Sequence, residues 1–256
     1  MIDSRAIISD EASIDPSVKI GPYSIIDGDV KIGAGTVIGP HVVIKGPCCI
    51  GQDNEIYQFS VIGEIPQDLK FAGEHSVIEI GDRNRIREFA SLHRGTKGGG
   101  GVTRIGSDNL LMAYTHVAHD CQVGNHVILA NAASLAGHVE VQDYAILGGF
   151  AVVHQFCRIG AHAFVGGATK ITQDVAPFIM VDGARARAVG LNKEGLKRRG
   201  FSAADITLLN RAFKRVIKSR PTDEAEWAQL YELAKQNESL AQLLAFIKTS
   251  TRGIVR

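Results

Sequence analysis

Six of the chain's nine histidines fall between residues 116 and 162, among them His116, His119, His138, His154 and His162. Imidazole takes or gives a proton near neutral pH, so such a cluster suits acid–base work or metal binding. Read one at a time, each is most simply a satisfied core or surface group. Read together, two uses compete. Several converging imidazoles could hold zinc. Alternatively, one imidazole could act as a general base without a metal. Asp120, directly after His119, supplies a carboxylate able to orient or polarise it. Against that pairing, adjacent residues on a strand often face opposite ways.

The elements that must position these groups are written in a six-residue repeat. Stepping by six from Ile2 reaches an isoleucine every time as far as Ile62, and the phase returns at Ile80, Ile86 and Leu92. After a shift of one place it resumes at Ile105 and runs to Ile171, for 26 aliphatic positions in all. Neither a helical period of 3.6 nor a strand period of 2 produces this spacing. Gly, Asp or Asn often follows the aliphatic residue, which suggests a tight bend, and a small or β-branched residue often fills the fifth place. Each hexad then reads as a short strand plus a turn, with three hexads to a triangular coil and coils stacked at about 4.8 Å. His119 and His138, and again His138 and His154, are separated by close to one such coil, so these side chains should line one strip of a prism. The pattern resembles the hexapeptide β-helix class. That resemblance implies a left-handed coil, which the period alone does not reveal.

Two segments lack the repeat, 63–79 and 93–104, and excursions from a rigid solenoid are where binding groups tend to sit. The four-glycine run 98–101 reads as flexible. The repeat fades from about Asp174, which predicts a β-helix over 1–176, a connector over 177–190 and a helical domain over 191–256. Ser202 with Asp205 resembles a capping box, and Ile206, Leu209, Phe213, Val216 and Ile217 follow at helical spacing. Pro221 should end that helix and Thr222 cap the next, with a third running through Leu240, Leu243, Leu244 and Ile247. The helical domain could also cover the open end of the β-helix.

Composition narrows the partners. The 28 Lys and Arg against 27 Asp and Glu argue against wholesale nucleic-acid binding. No stretch approaches the roughly 20 apolar residues that span a bilayer, and the N-terminus carries scattered charges, so a soluble cytoplasmic protein without membrane insertion is expected. Cys48, Cys49, Cys121 and Cys157 form no paired zinc-ligand motif.

The stretches NEIYQFSVIGEIPQDLKFAGE, GDRNRIRE, HRGT, GSDNLLMAYTHVAHDCQVGNH, LAGHV, VHQFCRIGAH and EGLKRRGF together resemble the UDP-N-acetylglucosamine O-acyltransferases, over nearly the whole chain. That family transfers an R-3-hydroxyacyl group from acyl carrier protein to the sugar 3-hydroxyl, the first step of lipid A synthesis. It uses no metal or resident cofactor, because the carrier's phosphopantetheine arm delivers the acyl group. The resemblance implies His119 as general base, Asp120 as its support and the Gly137 backbone N–H as oxyanion donor. It further implies substrate contacts from Gln67, Asp68, Lys70, His116, His138, His154 and Gln155. Asn192, Glu194, Arg198 and Arg199 match nucleotide-side positions, and Gly167 matches a hydrocarbon ruler whose small size favours a long chain such as 3-hydroxymyristoyl. A homotrimer with sites between neighbouring prisms is implied as well.

Without the resemblance, Lys70 is an ordinary solvated lysine, Arg198 and Arg199 suit a helix C-terminus, and Gly137 and Gly167 are turn glycines. One stretch departs from the family pattern: 182–190 reads DGARARAVG and carries Arg185 and Arg187 where Gly-Asn-His/Pro-Ala is usual. From the residues themselves, Arg211, Lys214, Arg215 and Lys218 form a basic stripe opposite the apolar face, which could dock the acidic carrier protein. Competing readings are an N-acyltransferase on an amino-sugar nucleotide, a zinc protein like the γ-class carbonic anhydrases, and a silent scaffold.

Overall fold

An aliphatic residue at every sixth position has somewhere to go only if the chain turns a corner every hexad. The computed structural model, which describes residues 1–219, 221 and 223–256, shows that winding. Successive short strands pass to successive faces, and each pairs in parallel with the third strand after it, giving sheets of 9, 8 and 10 strands. The first sheet begins at Ile7–Ile8, the second at Ser13–Ile14 and the third at Lys19–Ile20. Partners lie three hexads apart, as in Ile7 with Ile25 and His116 with Ser134. Ile26, Ile44, Ile62, Leu92, Val117 and Leu135 stack up the inside of the first sheet, each fully buried. The fifth place of the hexad is buried too, and where it is Asn54, Asn84 or Asn109 the amide donates to the next coil's carbonyl at 2.9–3.0 Å.

The bend residue is not the one expected. Left-handed backbone falls at the fourth place of the hexad, as at Asp53, Asp108, Asp120 and His138. The glycine in second place serves close approach instead: a Cβ on Gly33 would lie 2.7 Å from the Gly51 carbonyl carbon.

The excursions account for the phase. Ile78 pairs with Cys48, five hexads back instead of three, so the first excursion adds two whole hexads and the phase returns. His116 pairs with Ser91, four hexads and one place back, so the second adds a hexad plus one and the phase shifts by one. Strands Val61–Glu64, Val77–Ile80, Ser91–His93 and Val102–Ile105 reach into both segments, which shortens the loops to 65–76 and 94–101.

Winding also continues past Asp174. Segment 177–190 is no bare connector: Ile179–Asp182 adds a parallel strand to the third sheet, and Arg187–Leu191 folds back on it antiparallel. The departing stretch 182–190 is the turn and outer strand of this hairpin. At the end of the second sheet Val175 bridges Ile159, and Ile254 of the C-terminal tail bridges Asp174. Backbone groups that would be open edges are thereby paired.

Among the described residues four α-helices follow: α1 Lys193–Arg198, α2 Ala203–Ala212, α3 Glu224–Ala234 and α4 Glu238–Thr249. The Ser202 hydroxyl accepts the Asp205 N–H at 3.1 Å, as the capping signal predicts. Thr222 lies outside the described residues; the cap of α3 is Asp223, whose carboxylate accepts the Glu226 N–H at 2.7 Å. Leu209, Phe213, Val216, Ile217, Leu240, Leu243 and Leu244 are buried in one cluster with the coil interior. Phe213–Ser219 continues α2 as a π-helix, which an apolar period of 3.6 does not anticipate.

Candidate active site

Asp120 is where two adjacent side chains are made to meet. Its φ of +60° turns the chain at the corner between the first and second sheets, so His119 and Asp120 do not diverge as they would on a strand. His119 Nδ1 lies 2.8 Å from Asp120 Oδ2. The carboxylate is wholly buried and held by the second excursion: the Thr96 N–H donates to Oδ1 at 2.9 Å and its hydroxyl to Oδ2 at 2.6 Å. A carboxylate with these donors keeps the His119 proton on Nδ1, which leaves Nε2 as the free acceptor. The glycine run beside it is a short 3-10 turn packed on this carboxylate; any Cβ on Gly99 would overlap Asp120. Close approach, not flexibility, accounts for that glycine.

One coil on, Gly137 lies directly against the imidazole. A Cβ there would sit 2.5 Å from His119 Cε1 and 2.6 Å from Nε2. Its neighbours' amides are spent, Ala136 on the Val153 carbonyl and His138 on the His119 carbonyl. Among the described residues no acceptor takes the Gly137 N–H. A fixed, unspent donor beside a basic nitrogen is the arrangement that acyl transfer needs.

His138 stands edge-on to His119 with ring centroids 5.0 Å apart and stacks on Phe156 at 4.4 Å. Burial chiefly lowers its pKa, with His119 adding to the effect and Asp120 and Asp68 opposing it, so it is neutral at pH 7. His116 contacts the Ser91 hydroxyl through Nδ1 at 2.7 Å and is likewise shifted down by burial. Behind it His93, edge-on at 5.0 Å, is pushed down to about 4 by burial and by the neighbouring His116. The first excursion closes the site: Asp68 and Lys70 line a cavity of about 610 Å³ with Thr96, Lys97, His138 and Phe156. Gln67 is exposed beside them. Glu74 ties the two excursions together, accepting the Lys97 N–H at 3.1 Å and the Ala72 N–H at 2.8 Å.

His154 and Gln155 extend this corner by one coil, both exposed. His162 does not join the strip. It stacks on Tyr144 at 4.8 Å in the column at the corner between the second and third sheets, and burial, then Arg199, lowers its pKa to about 4. Asn192, Glu194, Arg198 and Arg199 also lie on that side, and Arg199 sits 4.5 Å over Tyr144. Asn192 caps α1 by accepting the Gly195 N–H at 3.1 Å and donates to the His162 carbonyl at 2.9 Å. Glu194 pairs with Lys197 at 2.9 Å, and Arg198 is exposed. One chain therefore carries the expected base and the expected nucleotide residues on different corners. Gly167 occupies the remaining corner, where an added Cβ meets nothing nearer than the Gly149 carbonyl oxygen at 3.4 Å.

The basic stripe is less regular than its spacing suggests. Lys214, Arg215 and Lys218 lie in the π-helical segment, Arg215 pairs with Glu226 at 2.7 Å, and Lys218 donates to the Ala188 carbonyl. Arg211 and Lys214 remain exposed.

His119, Asp120 and His138 each present one possible metal-ligand atom within 4.8 Å of the others. The donor set fits a cation poorly, because Asp120 Oδ2 is already occupied by Thr96 and His119. Thr96, Ser91, His93 and Glu74 belong to the site and were not singled out in the sequence. HRGT holds His93 and Thr96, and NEIYQFSVIGEIPQDLKFAGE ends on Glu74, but neither stretch marked these residues for a role.

Comparison with known proteins follows the same lines. The family model described as UDP N-acetylglucosamine O-acyltransferase, domain 2, matches residues 174–255. The bacterial transferase hexapeptide model matches 11–46 and 103–137. An acyl-[acyl-carrier-protein]–UDP-N-acetylglucosamine O-acyltransferase from Herminiimonas arsenicoxydans is 51% identical over 260 residues, spanning 100% of this chain and 99% of its own. The UDP-N-acetylglucosamine O-acyltransferase of Moraxella catarrhalis superposes with a TM-score of 0.96 at 46% identity, covering 100% of this chain and 99% of that one. The Francisella novicida UDP-N-acetylglucosamine acyltransferase gives 0.96 at 39% identity, with 100% and 94% covered.

Proposed function

The chain belongs to the acyl-[acyl-carrier-protein]–UDP-N-acetylglucosamine O-acyltransferases of lipid A synthesis, and on that premise we propose how its own residues carry the transfer. His119 Nε2 takes the proton from the sugar 3-hydroxyl as that oxygen attacks the thioester carbonyl. The carbonyl oxygen becomes an oxyanion and is held by the Gly137 N–H. Collapse breaks the carbon–sulfur bond, the His119 imidazolium returns its proton to the departing phosphopantetheine thiolate, and a 3-O-acyl sugar nucleotide remains. Asp120 holds the Nδ1 proton throughout and stabilises the transient imidazolium. No metal or resident cofactor enters. The observation that carries this reading is the His119 ring wedged between a buried carboxylate and Gly137, whose amide has no acceptor among the described residues.

His116, His138, His154, Gln155, Gln67, Asp68 and Lys70 bind the sugar nucleotide and the acyl chain along the same strip. Asn192, Glu194, Arg198 and Arg199 serve the nucleotide of a neighbouring copy in a homotrimer, which is why their corner differs from that of His119. Arg211 and Lys214 give the acidic carrier protein a docking point, with Arg215 and Lys218 contributing less because each has an internal partner. The protein works in the cytoplasm; no helix among the described residues is long and apolar enough to cross a membrane.

The missing side chain at Gly167, where a Cβ would meet only the Gly149 carbonyl oxygen at 3.4 Å, leaves room for a long R-3-hydroxyacyl chain such as 3-hydroxymyristoyl. Steady-state rates with UDP-GlcNAc and carrier proteins bearing chains of several lengths test this. Wild type should prefer long donors, and Gly167→Met should move the optimum to shorter ones. An unchanged profile in the variant would remove Gly167 from the ruler role.

A further inference from the structure

The C-terminal tail is pinned to the end of the β-helix. The buried Asp174 donates its N–H to the Gly253 carbonyl at 2.8 Å, accepts the Val255 N–H at 2.9 Å, and takes the Ser250 hydroxyl on its carboxylate at 2.7 Å. Gly253, at φ +75°, turns the tail between these bonds. Arg252 is thereby laid across the coil that carries His154, with Nη2 3.4 Å from His154 Nδ1. The closer partner of that Nδ1 is the Gln155 carbonyl at 3.1 Å, so the guanidinium donors are not consumed there.

Arg252 is half-buried, its Nε is shielded from water, and no acceptor among the described residues takes that N–H. Other arginines on the prism have carboxylates: Arg158 has Glu140 at 3.0 Å and Arg83 has Asp108 at 2.8 Å. Arg252 has none within ion-pair distance among the described residues. The nearby Cys157 thiol, pushed up to about 11 chiefly by burial, stays neutral and supplies no counter-charge. Withdrawing a guanidinium from water without a counter-charge is costly, and the cost is offset when an anion arrives. The planar fork of donors suits a phosphate oxygen pair. Its place, one coil beyond His138 on the His119 corner, puts that anion on the substrate strip.

We infer that Arg252, with His154 and Gln155 beside it, forms a phosphate-ester subsite of the active site. The inference rests on the acyl-transfer reading. Two substrates carry the required chemistry: the pyrophosphate of the sugar nucleotide and the phosphate of the phosphopantetheine arm.

Calorimetric titration of UDP-GlcNAc and, separately, of acyl-phosphopantetheine into full-length wild type and Arg252→Gln distinguishes them. Glutamine keeps a donor near His154 but removes the charge. The expected result is a loss of roughly tenfold or more in affinity for one ligand and not the other, at unchanged Tm, with Arg252→Lys intermediate. Weakened UDP-GlcNAc binding assigns the pyrophosphate; weakened acyl-phosphopantetheine binding assigns the arm. Equal affinities in variant and wild type for both ligands would overturn the inference. So would parallel losses for both that track a fall in Tm, since those indicate a tail clamp. If wild type binds neither ligand, the acyl-transfer reading fails first.

Discussion

Thr96 does for Asp120 what Asp120 does for His119. Its two hydrogen bonds occupy both carboxylate oxygens, and they come from a loop that no repeat predicts. Thr96→Val removes the hydroxyl bond, retains the amide bond and nearly preserves volume. The expected result is a fall in kcat of roughly tenfold with little change in KM for UDP-GlcNAc, since the loss acts through His119 orientation. Thr96→Ser should restore most of the rate. A valine variant with wild-type kcat would mean that the backbone N–H alone holds Asp120. The His119–Asp120 neighbourhood was legible as a pair of residue types; the contact was not, because it depends on one residue in left-handed backbone.

At the scale of the coil, corner residues stack in columns, and some of the stacked groups titrate. His162 lies between Tyr144 and Phe178, and His93 lies behind His116. Both are pushed down to about 4 by burial, from an ordinary value of 6.5. Between those values the unfolded chain binds more protons than the folded one, so stability rises with pH across the window. It is complete above about pH 6.5 and is lost progressively as pH falls toward 4. Thermal melting from pH 7.5 to 4.5 should show Tm falling below 6.5, and His162→Asn should flatten that slope. An identical slope in the variant would remove His162 as a source of acid sensitivity. The hexad could not disclose this: it specifies which aliphatic residue points inward, whereas stacking at the corner depends on what the coils above and below supply. The same limit applies to α2, whose passage into a π-helix shifts Lys214, Arg215 and Lys218 off the stripe that a regular helix would present.

Over the whole molecule, the six-residue period was enough to place three sheets, and the excursion lengths of two hexads and one hexad plus one explain its irregularities before Ile171. The end of the winding was harder to see. Residues 177–191 form a hairpin without an aliphatic every sixth place, and the tail pairs with Asp174 from the far side of the whole helical domain. The proposed base and nucleotide-side residues could be named from family motifs, but their separation onto two corners became visible only when the coil was closed.

The proposal centres on His119 as the base of an acyl transfer that needs no metal. The direct measurement is kcat/KM for wild type and His119→Ala, with UDP-GlcNAc and a 3-hydroxyacyl carrier protein, in protein stripped by a chelator. Wild type should keep its full rate after chelation, and the variant should lose roughly 10²–10⁴-fold while retaining its fold and its affinity for UDP-GlcNAc. A variant that turns over at the wild-type rate would contradict this assignment. So would a wild type that chelation silences and zinc restores.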